Sequence, residues 1–169
     1  YRLQQQPVYL TQKQEVTIQE NTALQNAVEK VEKTIVGIKS QTLKGYSYEG
    51  SGLILTSDGL AVTLSEIIPR GSNFYLFFDE SLDRGKTFAE IQSRDLENNL
   101  LLLKIEGDGL PTVRFADLEK IKLGERVFLL GRVEAAAVSG QEIVNDGIIS
   151  SLNEDSIQTN IIEDASLEG

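Results

Sequence analysis

The sequence predicts an all-β fold in which antiparallel strands close into a barrel or stack as a sandwich. Three observations predict it. Short runs of β-type residues follow one another from Ile35 to Ile162, turn residues separate them, and little helical pattern lies between them.

The elements follow in order. Residues 1–21 are polar and Gln-rich and carry Pro7, which reads as an extended arm with one strand around Val16 and Ile18. Thr22 and Gln25 then have the spacing of a capping box, and Leu24, Val28 and Val31 share one face, so a short helix is expected there. The strand runs are Ile35–Ile38, Gly52–Thr56, Leu60–Leu64, Phe74–Phe78, Phe88–Gln92, Leu100–Ile105, Arg126–Leu130, Ile143–Leu152 and Ile157–Ile162. Ser57-Asp58-Gly59 joins the second and third as a hairpin, because glycine tolerates the positive φ of such turns. Leu100 to Leu103 are apolar without a break, which predicts a strand covered on both faces. Asp79, Glu80 and Asp83, ahead of Arg84-Gly85-Lys86, read as a solvated turn.

Composition removes whole classes of chemistry. The 169 residues include no histidine, cysteine or methionine. Without His or Cys there is no Ser-His or Cys-His nucleophile pair, no disulfide and no ordinary zinc site. Ser-Lys pairs and carboxylate dyads remain open, since they need no histidine. A net charge of −10 argues against nucleic acid and acidic membrane surfaces as partners. No apolar run is long enough to span a bilayer. The first residue is Tyr1 rather than Met, so a processed product is expected, with any signal or anchor lying upstream.

Several motifs then occur in a recognisable order. Ala27-Val28-Glu29-Lys30-Val31 precedes Ile35-Val36-Gly37-Ile38, and Gly50-Ser51-Gly52-Leu53-Ile54-Leu55-Thr56-Ser57-Asp58-Gly59 forms a hairpin. Gly109-Leu110-Pro111, Leu123-Gly124-Glu125, Leu130-Gly131, Gly147-Ile148-Ile149-Ser150 and Ile157-Gln158-Thr159-Asn160 follow. Over roughly residues 27–169 this series resembles the HtrA/Deg family of trypsin-like serine proteases. The resemblance implies two six-stranded antiparallel β-barrels with the active site in the cleft between them. It places the arm at 1–21 and the protease-like domain at 22–169, with a first barrel at about 34–107 and a second at about 121–169. The family's strands beyond the nucleophile are then absent from this chain, so an incomplete second barrel is expected.

Carried to the chemistry, the resemblance implies a degenerate triad. The family's T-N-x-H-V is Thr63-Leu64-Ser65-Glu66-Ile67 here, so Glu66 stands at the position of the base. Its D-L-A-V-L-K is Asn99-Leu100-Leu101-Leu102-Leu103-Lys104, so Asn99 stands at the orienting aspartate. Counting the family's interval onward from Asn160 lands on Glu168 at the nucleophile, with Ser166 at the first glycine of the oxyanion loop. A triad needs His to take the serine proton and Asp to hold the imidazolium. Glutamate at the nucleophile position would also set a negative charge where an oxyanion must form.

The expected protein is therefore a pseudoprotease without cofactor or metal, acting as a peptide- or protein-binding, regulatory or scaffolding domain. Its expected partners are a peptide or protein, an active protease relative among them, and copies of itself, trimerising through the arm that carries Tyr1 and Tyr9. The family implies an extracytoplasmic, periplasmic or cell-surface location. Two alternatives stay open. One is a serine-type endopeptidase with a noncanonical site, using Ser166, though Ala165 and Leu167 beside it do not restore the motif. The other is a hard cation held by Glu66, Asn99 and Glu168, against which stands the ion's usual demand for six or more oxygens. Ser65 reads as an ordinary strand-end residue and Lys104 as a solvated one rather than a Ser-Lys base.

Overall fold

The computed structural model describes residues 22–79, 85–135, 138–154 and 156–162. The chain forms two compact units, Tyr1–Lys30 and Val31–Gly169. In the first, residues 22–30 are helical, as the capping and face pattern predict, while the arm with Tyr1, Tyr9 and its expected strand lies outside the described residues.

The second unit is built from two antiparallel sheets. One contains β1 (Ile35–Gln41), β2 (Ser47–Ile54), β3 (Leu60–Leu64), β4 (Asn73–Phe77), β5 (Lys86–Thr87), β6 (Ala89–Asp95) and β7 (Leu100–Ile105), in the order β5-β4-β1-β2-β3-β7-β6. Its two edge strands, β5 and β6, are separated in the chain by Phe88 alone. Residues that flank a single residue are about 7 Å apart at most, so the edges meet and the sheet curls into a barrel. Seven strands are thus a six-stranded barrel with one strand broken at Phe88. The other sheet has three strands among the described residues: β8 (Arg126–Ala135), β9 (Val138–Leu152) and β10 (Ile157–Thr159), in the order β10-β9-β8.

Alternation fills the barrel. Val36 and Ile38 of β1, Ala61 of β3, Leu76 of β4 and Leu101, Leu103 and Ile105 of β7 are fully buried and pack together. Each of the valine, leucine and isoleucine side chains among them contributes on the order of 1.5–3 kcal/mol relative to exposure. The Leu100–Leu103 run does not have both faces covered, contrary to its unbroken apolar pattern. Leu101 and Leu103 are buried, but Leu100 is 43% exposed and Leu102 is intermediate. The reason is the placement of the second sheet, which packs its β8 on β1 and β2 rather than on β7.

The contact between the sheets is polar at its heart. Ser51 of β2 accepts from the backbone N–H of Arg132 on β8 at 2.8 Å and donates to the Arg132 carbonyl at 3.3 Å. The Ser51 carbonyl in turn accepts from Thr63 Oγ1 at 2.9 Å. Arg132 is buried to 1% exposure, and its Nη2 donates to the Glu32 carbonyl at 3.0 Å and to Glu142 on β9, with Asp79 at 3.5 Å. Asp79 is therefore not part of a solvated turn: it lies at the end of β4 against a buried cation, and its side chain is 21% exposed. Glu80 and Asp83 lie outside the described residues.

Two residues along β8, Glu134 makes the second clasp. Its carboxylate accepts from Lys39 Nζ at 2.7 Å, Lys86 Nζ at 2.8 Å and the Tyr75 hydroxyl at 2.8 Å, while its backbone N–H donates to Glu49. The hydrogen bonds from Lys39, then Lys86, hold the Glu134 carboxyl down at about 2, well below its ordinary value of 4.5. A lowered carboxylate stabilises the fold above the unfolded value, and that stability is lost as pH falls through the folded value. Because Lys39 and Lys86 are partly exposed, solvent screening leaves the clasp about 1–2 kcal/mol. Urea titrations should show Glu134→Gln less stable than wild type by that amount at pH 6, with the two curves converging as pH falls from 4.5 toward about 2.

Candidate functional site

The ends of two neighbouring strands build the site. β3 and β7 pair in register so that Leu64 faces Leu100. The residues just beyond this pair, Ser65-Glu66 on one strand and Asn99 on the other, therefore meet. Past Leu64 the chain turns sharply through a 3₁₀ turn, Ser65–Ile67. Asn99 takes φ 55°, the left-handed conformation that asparagine tolerates better than most side chains. In that conformation its carbonyl accepts from Ser65 N–H at 2.9 Å and its Oδ1 accepts from Glu66 N–H at 3.2 Å.

The turn is held from three other directions. Arg94 of β6 donates from Nη1 to the Ser65 hydroxyl at 2.7 Å and the Ser65 carbonyl at 2.8 Å, and from Nη2 to the Ile68 carbonyl at 2.8 Å. Ser40 of β1 donates to the Ile67 carbonyl at 2.5 Å. Gly50 of β2 leaves room for Ile67, whose Cδ1 would lie 2.2 Å from an added Cβ. The G-S-G motif thus has two functions in packing: Gly50 admits the turn, and Ser51 ties the barrel to β8.

Two of the sequence-predicted residues, Glu66 and Asn99, are accordingly brought together, backbone to side chain. Ser166 and Glu168 lie outside the described residues. Ser65 is 4% exposed and its hydroxyl bonds to Arg94, so it is an anchor of the turn rather than a loose strand-end residue. Lys104 donates to Asp58 Oδ2 at 2.9 Å and to the Asp58 carbonyl at 2.6 Å across the hairpin, and Asp58 is held at about 2 by bonds from Thr56 and then Lys104.

Chemically, the pair offers little. Asn99 Oδ1 is taken by an amide, and an amide side chain cannot balance an imidazolium as a carboxylate does. Glu66 is exposed, and carboxylates as a class are weaker bases than imidazole. Among the described residues no group of three His, Cys, Asp or Glu side chains could hold a metal ion. Beside the pair runs an apolar groove of about 260 Å³, lined by Leu53, Val62, Leu64 and Leu100 of the barrel and by Leu130 of β8.

Sequence reasoning missed the groups that hold this arrangement, namely Arg94, Ser51, Arg132 and Glu134. Only Ser51 carried a sequence signal, as the centre of its glycine motif. Further along, Asn160 secures β9 by accepting from Ile148 N–H at 2.7 Å through Oδ1. Gly147 leaves the space this needs, since a Cβ there would lie 2.5 Å from Asn160 Oδ1.

The comparisons agree with this geometry. The family model described as a trypsin-like peptidase domain matches residues 50–168, well over half of the chain. A "Probable periplasmic serine endoprotease DegP-like" of Pseudomonas putida is 34% identical over 82 residues, covering 48% of this chain and 17% of that protein. The protein of the same description from Halomonas elongata is 30% identical over 115 residues, covering 65% of this chain and 23% of its own length. The match with Marinomonas sp. is 34% over 82 residues, 48% of this chain and 17% of the relative. The matched stretches thus span under a quarter of the curated relatives. The barrel, its turn and its three-stranded partner sheet are a trypsin-like fold with a partial second barrel, and the chain belongs to the trypsin-like peptidase domain family, related within it to the HtrA/Deg proteases.

Proposed function

We propose that this chain is a catalytically silent trypsin-like domain that binds a peptide or protein segment at the cleft face of its barrel. The observation that carries the reading is Glu66 beside Asn99 at the paired ends of β3 and β7, the two positions that the resemblance assigns to the family's base and its orienting aspartate, in a chain without histidine. Fold and turn are kept by a dedicated set of bonds while the proton-transfer groups are replaced. Retained architecture without a base suits binding better than turnover. The degenerate nucleophile position Glu168 and the oxyanion-loop position Ser166 extend the reading along the sequence. Regulation of an active relative and self-assembly through the arm are the contexts in which such binding acts. The relatives' description as periplasmic supports an extracytoplasmic location. No helix among the described residues is long and apolar enough to cross a membrane. The test is labelling of the full chain with an active-site-directed fluorophosphonate, read by peptide mass spectrometry. No modified serine is expected. Stoichiometric labelling of Ser166 or Ser65 overturns the reading in favour of a noncanonical endopeptidase.

A further inference from the structure

We infer that Asp108 is a site of spontaneous covalent modification, the step in this chain at which aspartate isomerises to isoaspartate. In that reaction the backbone nitrogen of the following residue attacks the side-chain carboxyl carbon. A C–N bond forms, the carboxyl C–OH bond breaks, and the hydroxyl leaves with the amide proton as water. The resulting succinimide takes water back at either carbonyl, and opening at the α-carbonyl routes the chain through Cβ and Cγ. A following glycine favours the attack because it has no Cβ in the way and turns freely. The chain holds three such steps, Asp58-Gly59, Asp108-Gly109 and Asp146-Gly147. Each is followed by Leu or Ile, so their structural settings separate them more than their sequences do.

Two of the three are restrained. Asp58 Oδ2 accepts from Lys104 Nζ at 2.9 Å, and the Gly59 N–H that would have to attack is bonded to the Thr56 carbonyl at 3.0 Å. Asp146 Oδ2 accepts from Arg126 Nη2 at 2.7 Å. Its Gly147 lies within β9 opposite Val127, with Asn160 and Ile161 packed against it. Ring closure at either step must break these bonds and turn a peptide that the hairpin or the sheet fixes.

Asp108-Gly109 has neither restraint. Both residues are exposed and lie outside strands and helices, in the link from β7 to β8. Among the described residues none bonds the Asp108 carboxylate or the Gly109 N–H. Glycines at positive φ stand on both sides, Gly107 at 147° and Gly109 at 69°, and nothing lies within 4 Å of an added Cβ at Gly109. The peptide therefore turns to the ring-closing geometry without displacing a neighbour. The product carries one extra backbone carbon between two anchored points. Ile105 N–H is bonded to the Gly59 carbonyl at 2.8 Å, and the buried Leu110 donates its N–H to the Ser57 carbonyl at 3.0 Å. The added length falls on the link that leads from the barrel to the second sheet.

The test ages the full chain for weeks at neutral pH, folded and in parallel in urea. Electron-transfer dissociation mass spectrometry of its peptides then distinguishes aspartate from isoaspartate at each position. In the folded chain isoaspartate at 108 should exceed that at 58 and at 146 by at least about fivefold, the rate effect of about 1 kcal/mol in barrier. In urea, where hairpin and sheet are gone, the three positions should draw closer together. Asp108→Glu, whose longer side chain closes a ring far more slowly, should remove most of the isoaspartate that an isoaspartate-specific carboxyl methyltransferase labels in the folded chain, with circular dichroism confirming the fold. A smaller excess at 108, or none, overturns the inference, as does labelling that survives Asp108→Glu. An undiminished excess in urea overturns it too, because sequence and not structure would then select the site.

Discussion

Arg132→Ala should lower the stability of the Val31–Gly169 unit by about 3–5 kcal/mol, the range for removing one partner of a buried, bonded charge pair. Arg132 is 1% exposed and its guanidinium draws together the Glu32 carbonyl, Glu142 on β9 and Asp79 at the end of β4. Truncation leaves those partly exposed carboxylates without their shared cation, and the loss of the long side chain's packing adds to the cost. Domain stabilities are themselves about 5–15 kcal/mol, so this single change consumes a large share. Arg132→Met restores packing without charge and should recover only part of the loss. Adding Glu142→Leu to Arg132→Met should recover more, because the stranded carboxylate is then gone. Urea or thermal unfolding of the three variants measures each step. Equal stability of wild type and Arg132→Ala would show that the two sheets are not held together through this residue.

Gly59→Ala should be nearly as severe, at about 3 kcal/mol or more, and by a different route. Gly59 closes the Ser57-Asp58-Gly59 hairpin at φ 106°, where L residues with a Cβ are strained. An added Cβ would also lie 2.0 Å from the Ile105 carbonyl oxygen on β7. That oxygen is backbone and cannot swing aside, and Ile105 N–H is bonded to the Gly59 carbonyl at 2.8 Å, so relief requires breaking the link. A midpoint shift in urea reads the effect. A control at Gly109, where φ is 69° and nothing lies within 4 Å of an added Cβ, should lose less, separating backbone strain from the steric clash.

These two positions also show what was legible in the sequence. The hairpin at Gly59 was, because a small set of residues suits such a turn and apolar β-type runs flank it. β3 and β7 run from Leu60 to Leu64 and from Leu100 to Ile105, as their apolar patterns predict. Glu66 and Asn99 could each be picked out from a motif local in the chain, and the β3–β7 register brings the two together. Arg132 could not. Its partners Glu32 and Asp79 are remote in sequence, and Glu142, though only ten residues on, meets it through the β8–β9 register, so strand register and sheet packing bring them together. The same holds for Arg94, whose bonds to Ser65 and Ile68 depend on β6 lying beside β7 and β7 beside β3. The Leu100–Leu103 run misled for a related reason: composition reports how apolar a strand is, whereas coverage depends on where the second sheet docks.

The most direct measurement of the central claim is hydrolysis itself. The full chain is incubated with unfolded casein over days, and products are read by mass spectrometry beside Glu66→Gln and a buffer blank. On the proposed reading, in which Glu66 and Asn99 replace a base and its orienter, wild type, variant and blank should give the same product profile. Cleavage by wild type that disappears in Glu66→Gln would contradict a silent site, for it would show that this carboxylate moves protons in a working protease.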